Sequence, residues 1–410
     1  MQLFNALKKV ASVNVIRHLS QLIYGIIVAQ YLGASEKGII FLFTTVAATV
    51  AVLASFGFTN SLVFYCKKNR LSFERAVLYV FCLLALVSVF LVSVLMLFDL
   101  EILNFLFDGV GAGSGILVVF FIYCNSTLLG YFLNSYCLAF RYTLIYFFSF
   151  AVSSVTATTI SFIGILYWGF TLLDTLFIFV ATELIFFMLT LLWLKVSSNS
   201  QNIIIRQAST SEVVGYGLKS YLGVSGSTIS ANGDSFILAA YLSSEQIGIY
   251  SVAKTFYRLL VIVPQTVNGV LFGMFCDLTE VRARLLVKKL FGLYVVFTCL
   301  GMSLLAYLLD DVILFMFGDA FESAYFPTMI LLISACMMTI SSSINPFFLA
   351  FNMPMASSII TLISSFISLS SSFYLIENFG VIGAALSMSL GVISIFIMRL
   401  YFYNRPPRFL

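Results

Sequence analysis

The stretch Ile27–Thr45, IVAQYLGASEKGIIFLFTT, returns 210 residues later as Ile237–Thr255, ILAAYLSSEQIGIYSVAKT. No gap is needed, and seven of the 19 positions are identical: Ile27/Ile237, Ala29/Ala239, Tyr31/Tyr241, Leu32/Leu242, Gly38/Gly248, Ile39/Ile249 and Thr45/Thr255. The same offset pairs Cys66 with Cys276 and Phe107 with Phe317. With one more residue, Asn134–Phe140 (NSYCLAF) lies over Asn345–Phe351 (NPFFLAF). The 410-residue chain therefore reads as two copies of one unit.

The unit is apolar. Hydrophobic residues make up 61% of the chain and charged residues 9%, with a mean hydropathy of +1.08. An average soluble domain is about 45–50% apolar and about 25% charged, so this chain cannot clothe a soluble surface. Its apolar runs are continuous over about 20 residues, the length of a membrane-spanning helix, and do not alternate with period two as β-barrel strands do. Twelve runs are expected to span: Val10–Tyr31, Ile39–Tyr65, Ala76–Phe98, Ile116–Ala139, Thr143–Ile163, Leu172–Leu194, Ser220–Tyr241, Ile247–Gly273, Leu290–Leu309, Phe326–Ala350, Ser357–Ile376 and Val381–Tyr403. The first is too long for a cleaved signal sequence and lacks a small-residue cleavage site. What remains is short loops, with no room for a soluble catalytic or nucleotide-binding domain. No Walker motif is present, which argues against ATP-driven transport.

The fold class expected is an all-α polytopic membrane protein, with twelve transmembrane helices in two parallel six-helix repeats. Six is even, so both copies cross the membrane in the same sense, as in transporters whose two bundles enclose a central cavity. The division expected is 1–198 for the first bundle, 199–219 for a cytoplasmic linker, and 220–410 for the second bundle. Ser209–Glu212 (STSE) has the capping-box pattern, so the linker is either a short interfacial helix or irregular chain.

Charge sets the orientation. Seventeen of the 21 Lys and Arg fall on the side of the N-terminus, among them Lys67, Arg70, Arg75, Lys195, Arg282, Arg284 and Arg399, and only Lys37 lies in a loop on the other side. The far-side loops carry Asp99, Glu101, Asp108, Asp310, Asp311, Asp319 and Glu322 instead. The positive-inside rule then puts both termini in the cytoplasm. The seven cysteines read as packing residues, and one histidine without a Cys/His cluster leaves no metal site.

Five charges remain inside the spans: Arg17, Glu183, Asp234, Lys254 and Arg258. A charge at the bilayer centre costs at least about 2.5–3.5 kcal/mol, so each must face protein or water. In the eighth span Lys254, Arg258, Gln265 and Asn268 fall on one helical face, beside Pro264, which is expected to kink the helix. Arg258 lies about 11 residues, roughly 16 Å, from the outer end, too deep to snorkel. It reads as a substrate-cavity residue or half of a structural ion pair. Asp234 and Lys254 stand ten residues on either side of position 244, at matching depth on adjacent antiparallel helices. They read as an ion pair, structural or involved in cation coupling. Asp234 shares its face with Ser227 and Ser230. The first span carries Asn14, Arg17, His18, Gln21 and Gly25 on one face, with Arg17 either lining the cavity or snorkelling. Glu183 reads as a buried acid or a proton carrier. Ser334, Ser341 and Asn345, with Pro346 beyond, line the cavity, open a hinge or serve close helix packing. No residue set for covalent catalysis stands out.

Several stretches resemble a known family. They are Leu32-Gly33 through Glu36-Lys37-Gly38, Phe56-Gly57-Phe58, Asp234 with Gly248-Ile-Tyr-Ser-Val-Ala253, Phe317-Gly318 with Ala324, and Gly380-Val-Ile-Gly-Ala-Ala385. In these the chain is similar to the MOP exporter superfamily and, within it, the Wzx-type flippases for O-antigen and other polysaccharide repeat units. The resemblance implies alternating access of an undecaprenyl-pyrophosphate-linked sugar unit across the bacterial inner membrane, with H+ or Na+ coupling and no cofactor. It implies a cationic cavity, for which Arg17, Lys254 and Arg258 are available, with Gln21, Gln265, Asn268 and Asn345 as polar lining and Asp234 and Glu183 as ion-coupling candidates. Partners implied are the lipid-linked oligosaccharide, the bilayer, and a polysaccharide polymerase and chain-length regulator; no nucleic acid is expected. The competing readings are a multidrug or small-solute exporter of the same superfamily and a membrane polysaccharide polymerase or ligase. Such an enzyme would need a sizeable outer loop bearing catalytic groups, and the outer loops here are short.

Overall fold

The computed structural model describes residues 2–67, 70–98, 114–139, 142–198, 207–276, 278–351 and 353–404. Within them the chain forms helices joined by short connections. They are α1 (Gln2–Tyr31), α2 (Ala34–Ala54), α3 (Phe58–Lys67), α4 (Phe73–Phe98), α5 (Ser114–Ala139), α6 (Thr143–Trp168) and α7 (Leu172–Ser198). Then follow α8 (Thr210–Tyr241), α9 (Ser244–Cys276), α10 (Glu280–Phe317), α11 (Tyr325–Ser341), α12 (Ile344–Ala350) and α13 (Pro354–Asn404). Seven helical segments are long and apolar enough to cross a membrane on length and composition alone. Large apolar side chains also face outward, among them Leu293, Leu300 and Leu304 on α10 and Tyr167 and Trp168 at the end of α6. This is the outside of a multi-pass membrane protein.

α13 has 51 residues, but at about 1.5 Å per residue a straight helix of that length would be more than twice as long as the bilayer core is thick. It is interrupted at Gly380, where φ is 54° and ψ −128°. Gly383 sits against the Leu375 carbonyl and Gly391 against Ser368, pairs centred on the same point of the chain. The two halves therefore fold back as an antiparallel hairpin.

The sequence repeat is written into the helix ends. Tyr31 and Tyr241 close helices, and Ala34 and Ser244 open the next ones. At an offset of 211, α5 and α6 correspond to residues 325–350 and 354–379. Left-handed Gly169 (φ 63°) corresponds to left-handed Gly380.

The copies differ where they break. The expected single run Ile39–Tyr65 is two helices, because Phe56 (φ 46°) and Gly57 (φ 70°) take left-handed backbone between α2 and α3. The expected run Phe326–Ala350 is likewise divided at Ser342–Ser343. Pro346 has no N–H to give to the Ser342 carbonyl four residues back, so the helix cannot run on through that point. α9, by contrast, stays helical on both sides of Pro264.

The expected separate linker helix is corrected. Residues 199–206 lie outside the described residues, and 210–219 form the first part of one continuous helix, α8. The capping box forms: the Glu212 N–H donates to Ser209 Oγ (3.2 Å) and the Ser209 N–H to Glu212 Oε2 (3.3 Å). Arg70 then docks on the same carboxylate at 2.8 Å.

The chain forms two compact units, residues 1–32 with 42–228, and 33–41 with 229–410. The first has a core around Leu62, Cys66, Leu128, Phe132 and Phe187, the second one around Phe275, Phe347, Phe348 and Ile360. In the second unit the starts of α2 and α9 cross at two glycines. A Cβ at Gly38 would collide with the Ser244 carbonyl, and one at Gly248 with the Ala34 carbonyl. Neither backbone can give way, so Gly248→Val should remove most of the folded, monodisperse protein on size-exclusion chromatography. Gly292→Val, where a Cβ meets nothing within 4 Å, should elute like the parent. Equal behaviour of the two variants would refute the close crossing.

Candidate functional site

Two charged centres lie inside the helices, one in each unit. In the second unit, α8 brings Asp234 and α9 brings Tyr250, Lys254, Tyr257 and Arg258. These α9 residues stand three or four apart, so they share one side of the helix. Lys254 Nζ lies 2.7 Å from Asp234 Oδ2, and both residues are buried. Asp234 also accepts from the Tyr250 hydroxyl (2.7 Å) and from the Ser235 N–H (2.9 Å) and hydroxyl (3.3 Å). Lys254 donates further to the Ala231 carbonyl (3.3 Å) and the Ser235 hydroxyl (3.4 Å). Its ammonium also stands 5.5 Å from the Tyr250 ring centroid and 5.6 Å from that of Phe41. Both partners are thus saturated, as a buried ion pair has to be.

Arg258, one turn further along, behaves differently. It makes no hydrogen bond or ion pair among the described residues, and its side chain is exposed although protein atoms surround it. Asp234, Tyr250 and Tyr257 are its electrostatic neighbours. Its guanidinium therefore opens to water-sized space instead of a protein partner.

The other polar residues of the expected stripe are engaged or lie outside the description. With its amide nitrogen turned toward them, Asn268 donates to the Ser342 carbonyl (3.3 Å), which Pro346 leaves without its helical donor, and to the Pro264 carbonyl (3.2 Å). Asn345 accepts from the Ser357 hydroxyl at 2.5 Å, tying α12 to α13. Ser334 donates to Ser389 at 2.6 Å. The side chains of Gln265, Asn14, Ser227 and Ser230 lie outside the described residues.

In the first unit, α1 and α7 bring Arg17 and Glu183 to one place. Arg17 is half-buried, with Nη2 at 2.6 Å from His18 Nε2 and its guanidinium 5.0 Å from the Phe150 ring centroid. Glu183 is buried, and its Oε2 has no hydrogen-bond partner among the described residues; the same holds for Arg17 Nε and Ser126 Oγ. Tyr123, Tyr131 and Tyr146 surround the carboxyl. Arg17 and Glu183 influence each other electrostatically without forming an ion pair within 4 Å. Gln21 is half-buried on α1, one turn beyond Arg17.

Two cations are not where the loop assignment put them. Lys37 is buried near the start of α2, with Nζ 4.6 Å from the Phe317 ring centroid. Arg399 is buried in the second half of α13, where Nη1 donates to the Ser341 hydroxyl (3.2 Å) and carbonyl (3.4 Å) at the end of α11. The signal for Arg399 was the apolar Leu400-Tyr-Phe-Tyr403 that follows it, which keeps the helix going past the charge. No group of three metal-ligating side chains occurs among the described residues.

Comparison with known proteins agrees with this architecture. The model of a family described as polysaccharide biosynthesis protein matches residues 27–326. No protein with a curated description matches. Among solved structures, the lipid II flippase MurJ in an inward closed conformation superposes with a TM-score of 0.75 at 15% identity, over 97% of this chain and 88% of that one. An inward-facing multidrug resistance MATE transporter of the MOP superfamily gives 0.72 at 13% identity, over 97% and 98%. A MOP superfamily transporter from Pyrococcus furiosus gives 0.62 at 16% identity, over 98% and 95%. At these identities the likeness is one of fold.

Proposed function

Since the chain belongs to the polysaccharide biosynthesis protein family, we propose that it is a flippase for a lipid-linked polysaccharide precursor. It carries an undecaprenyl-pyrophosphate-linked repeat unit, of the O-antigen kind, from the cytoplasmic to the periplasmic face of a bacterial inner membrane by alternating access. In this reading the chain crosses the membrane twelve times with both termini in the cytoplasm, and residues 1–198 and 220–410 are the two bundles. A proton or sodium gradient drives the cycle, and a polymerase and chain-length regulator receive the product.

The observation that carries the reading is Arg258, an accessible cation deep in α9 with no protein partner. A diphosphate cannot cross hydrocarbon bare, and a guanidinium in a low-dielectric site gives it a charge-assisted, bidentate partner. The apolar lipid tail has no such barrier and stays in the bilayer. The solved relative named a lipid II flippase supports a lipid-linked cargo.

The test is reconstitution. Purified protein in proteoliposomes should move a fluorescent undecaprenyl-diphosphate oligosaccharide between leaflets, faster under an imposed proton or sodium gradient. Absence of flipping, together with uptake of a cationic dye such as ethidium, would transfer the chain to the exporters that its MATE-like fold also admits.

A further inference from the structure

Arg399 fits neither a loop charge nor an interfacial anchor. It is 8% exposed, and no carboxylate lies within ion-pair distance of it among the described residues. Its Nη1 holds only neutral acceptors at long range: the Ser341 hydroxyl and carbonyl, and the Met338 sulfur at 3.9 Å. Nε and Nη2 make no hydrogen bond, yet neither is among the buried atoms closed off from water. Three N–H donors on one face of the guanidinium are thus open.

Tyr257 links this group to the centre already described, because it is within electrostatic reach of both Arg399 and Arg258. The charge count there is lopsided. Asp234 is one anion; Lys254, Arg258 and Arg399 are three cations; and Asp234 is already taken by Lys254. Two positive charges are left over inside a helical bundle. Enclosed cations without counter-ions are costly, so the arrangement is stable only in the presence of an anion that brings matching charge. A glycolipid joined through a diphosphate carries two negative charges at neutral pH, one on each phosphorus. A monophosphate linkage carries one.

We propose that Arg399 is a second cargo-contacting cation that acts with Arg258, so that the second unit selects a diphosphate-linked over a monophosphate-linked glycolipid. This rests on the flippase reading and adds to it a specificity determinant on the last helix. Each guanidinium takes one phosphoryl group, and the Arg399 contact to Ser341 holds that side chain in place while the cargo is absent.

The experiment measures binding to the full chain in nanodiscs. The two probes are farnesyl diphosphate-N-acetylglucosamine and farnesyl phosphate-N-acetylglucosamine. The parent should prefer the diphosphate. Arg399→Gln should weaken the diphosphate probe about tenfold or more, the effect of one charge-assisted contact, and leave the monophosphate probe within about twofold. Arg399→Lys, which keeps the charge, should retain part of the preference. Ser341→Ala, which removes the hydroxyl acceptor only, should retain all of it. An Arg399→Gln protein that is folded and keeps the full diphosphate preference, or that loses both probes equally, overturns the proposal and makes Arg399 a cap for the end of α11. If the parent binds neither probe, the flippase reading falls with it.

Discussion

Arg258→Ala should reduce flipping of a lipid-diphosphate oligosaccharide by roughly 30- to 150-fold, the equivalent of about 2–3 kcal/mol of charge-assisted hydrogen bonding. The loss should appear with no fall in thermal stability. Arg258 has no ion pair or hydrogen bond to lose among the described residues, and removing a charge without a counter-ion relieves the bundle of a desolvation cost. Arg258→Lys should recover only part of the activity, because an ammonium is a point charge and cannot grip two phosphate oxygens as a planar fork does. Flipping at the parental rate in Arg258→Ala vesicles would take this residue out of the transport path.

The second large effect is one of stability. Asp234→Asn leaves Lys254 buried beside a neutral amide, and stranding one member of a buried pair costs about 3–5 kcal/mol. A marked fall in the apparent melting temperature in detergent is expected, together with poor yield. The double variant Asp234→Asn/Lys254→Met should recover much of it. The asparagine still accepts from the Tyr250 hydroxyl, and the methionine refills the space of the lysine stem without its charge. Transport by the rescued double variant then separates two roles for the pair. A stable double variant that flips normally makes Asp234 and Lys254 structural; a stable one that is inactive gives them a part in the cycle. If Asp234→Asn melts like the parent, the saturated pair described above is not what holds α8 to α9.

Depth was the part of this site that could be read in advance. Asp234 and Lys254 are equidistant from a turn at position 244, and antiparallel neighbours at equal depth meet. The helix ends were legible for a related reason, since apolar run length is fixed by the bilayer. What stayed hidden depended on contacts between distant segments. Arg17 and Glu183 come together only because α1 and α7 pack in the same unit, and nothing in either apolar run announces the other. The breaks at Ser55–Gly57 and Ser342–Ser343 lie within continuous hydrophobic stretches, where composition carries no trace of backbone dihedrals. In the second case Pro346 was visible, but its effect falls four residues earlier, on the carbonyl it cannot serve. Arg399 was counted with the loop cations because it stands near the end of a run. Its burial comes from the end of α11, which lies more than 50 residues away.

The repeat has a consequence for how the molecule diverged. The backbone kept its two-copy plan closely, down to left-handed glycines at Gly169 and Gly380. The chemistry did not. Across the copies Asp234 stands against Tyr24, Lys254 against Thr44 and Arg258 against Ala48, while Arg17 stands against Ser227 and Glu183 against Ser394. One half carries a balanced cation and acid, and the other an excess of cations. After duplication the two bundles became different reagents on one scaffold, and exchanging them would preserve the fold while discarding the device.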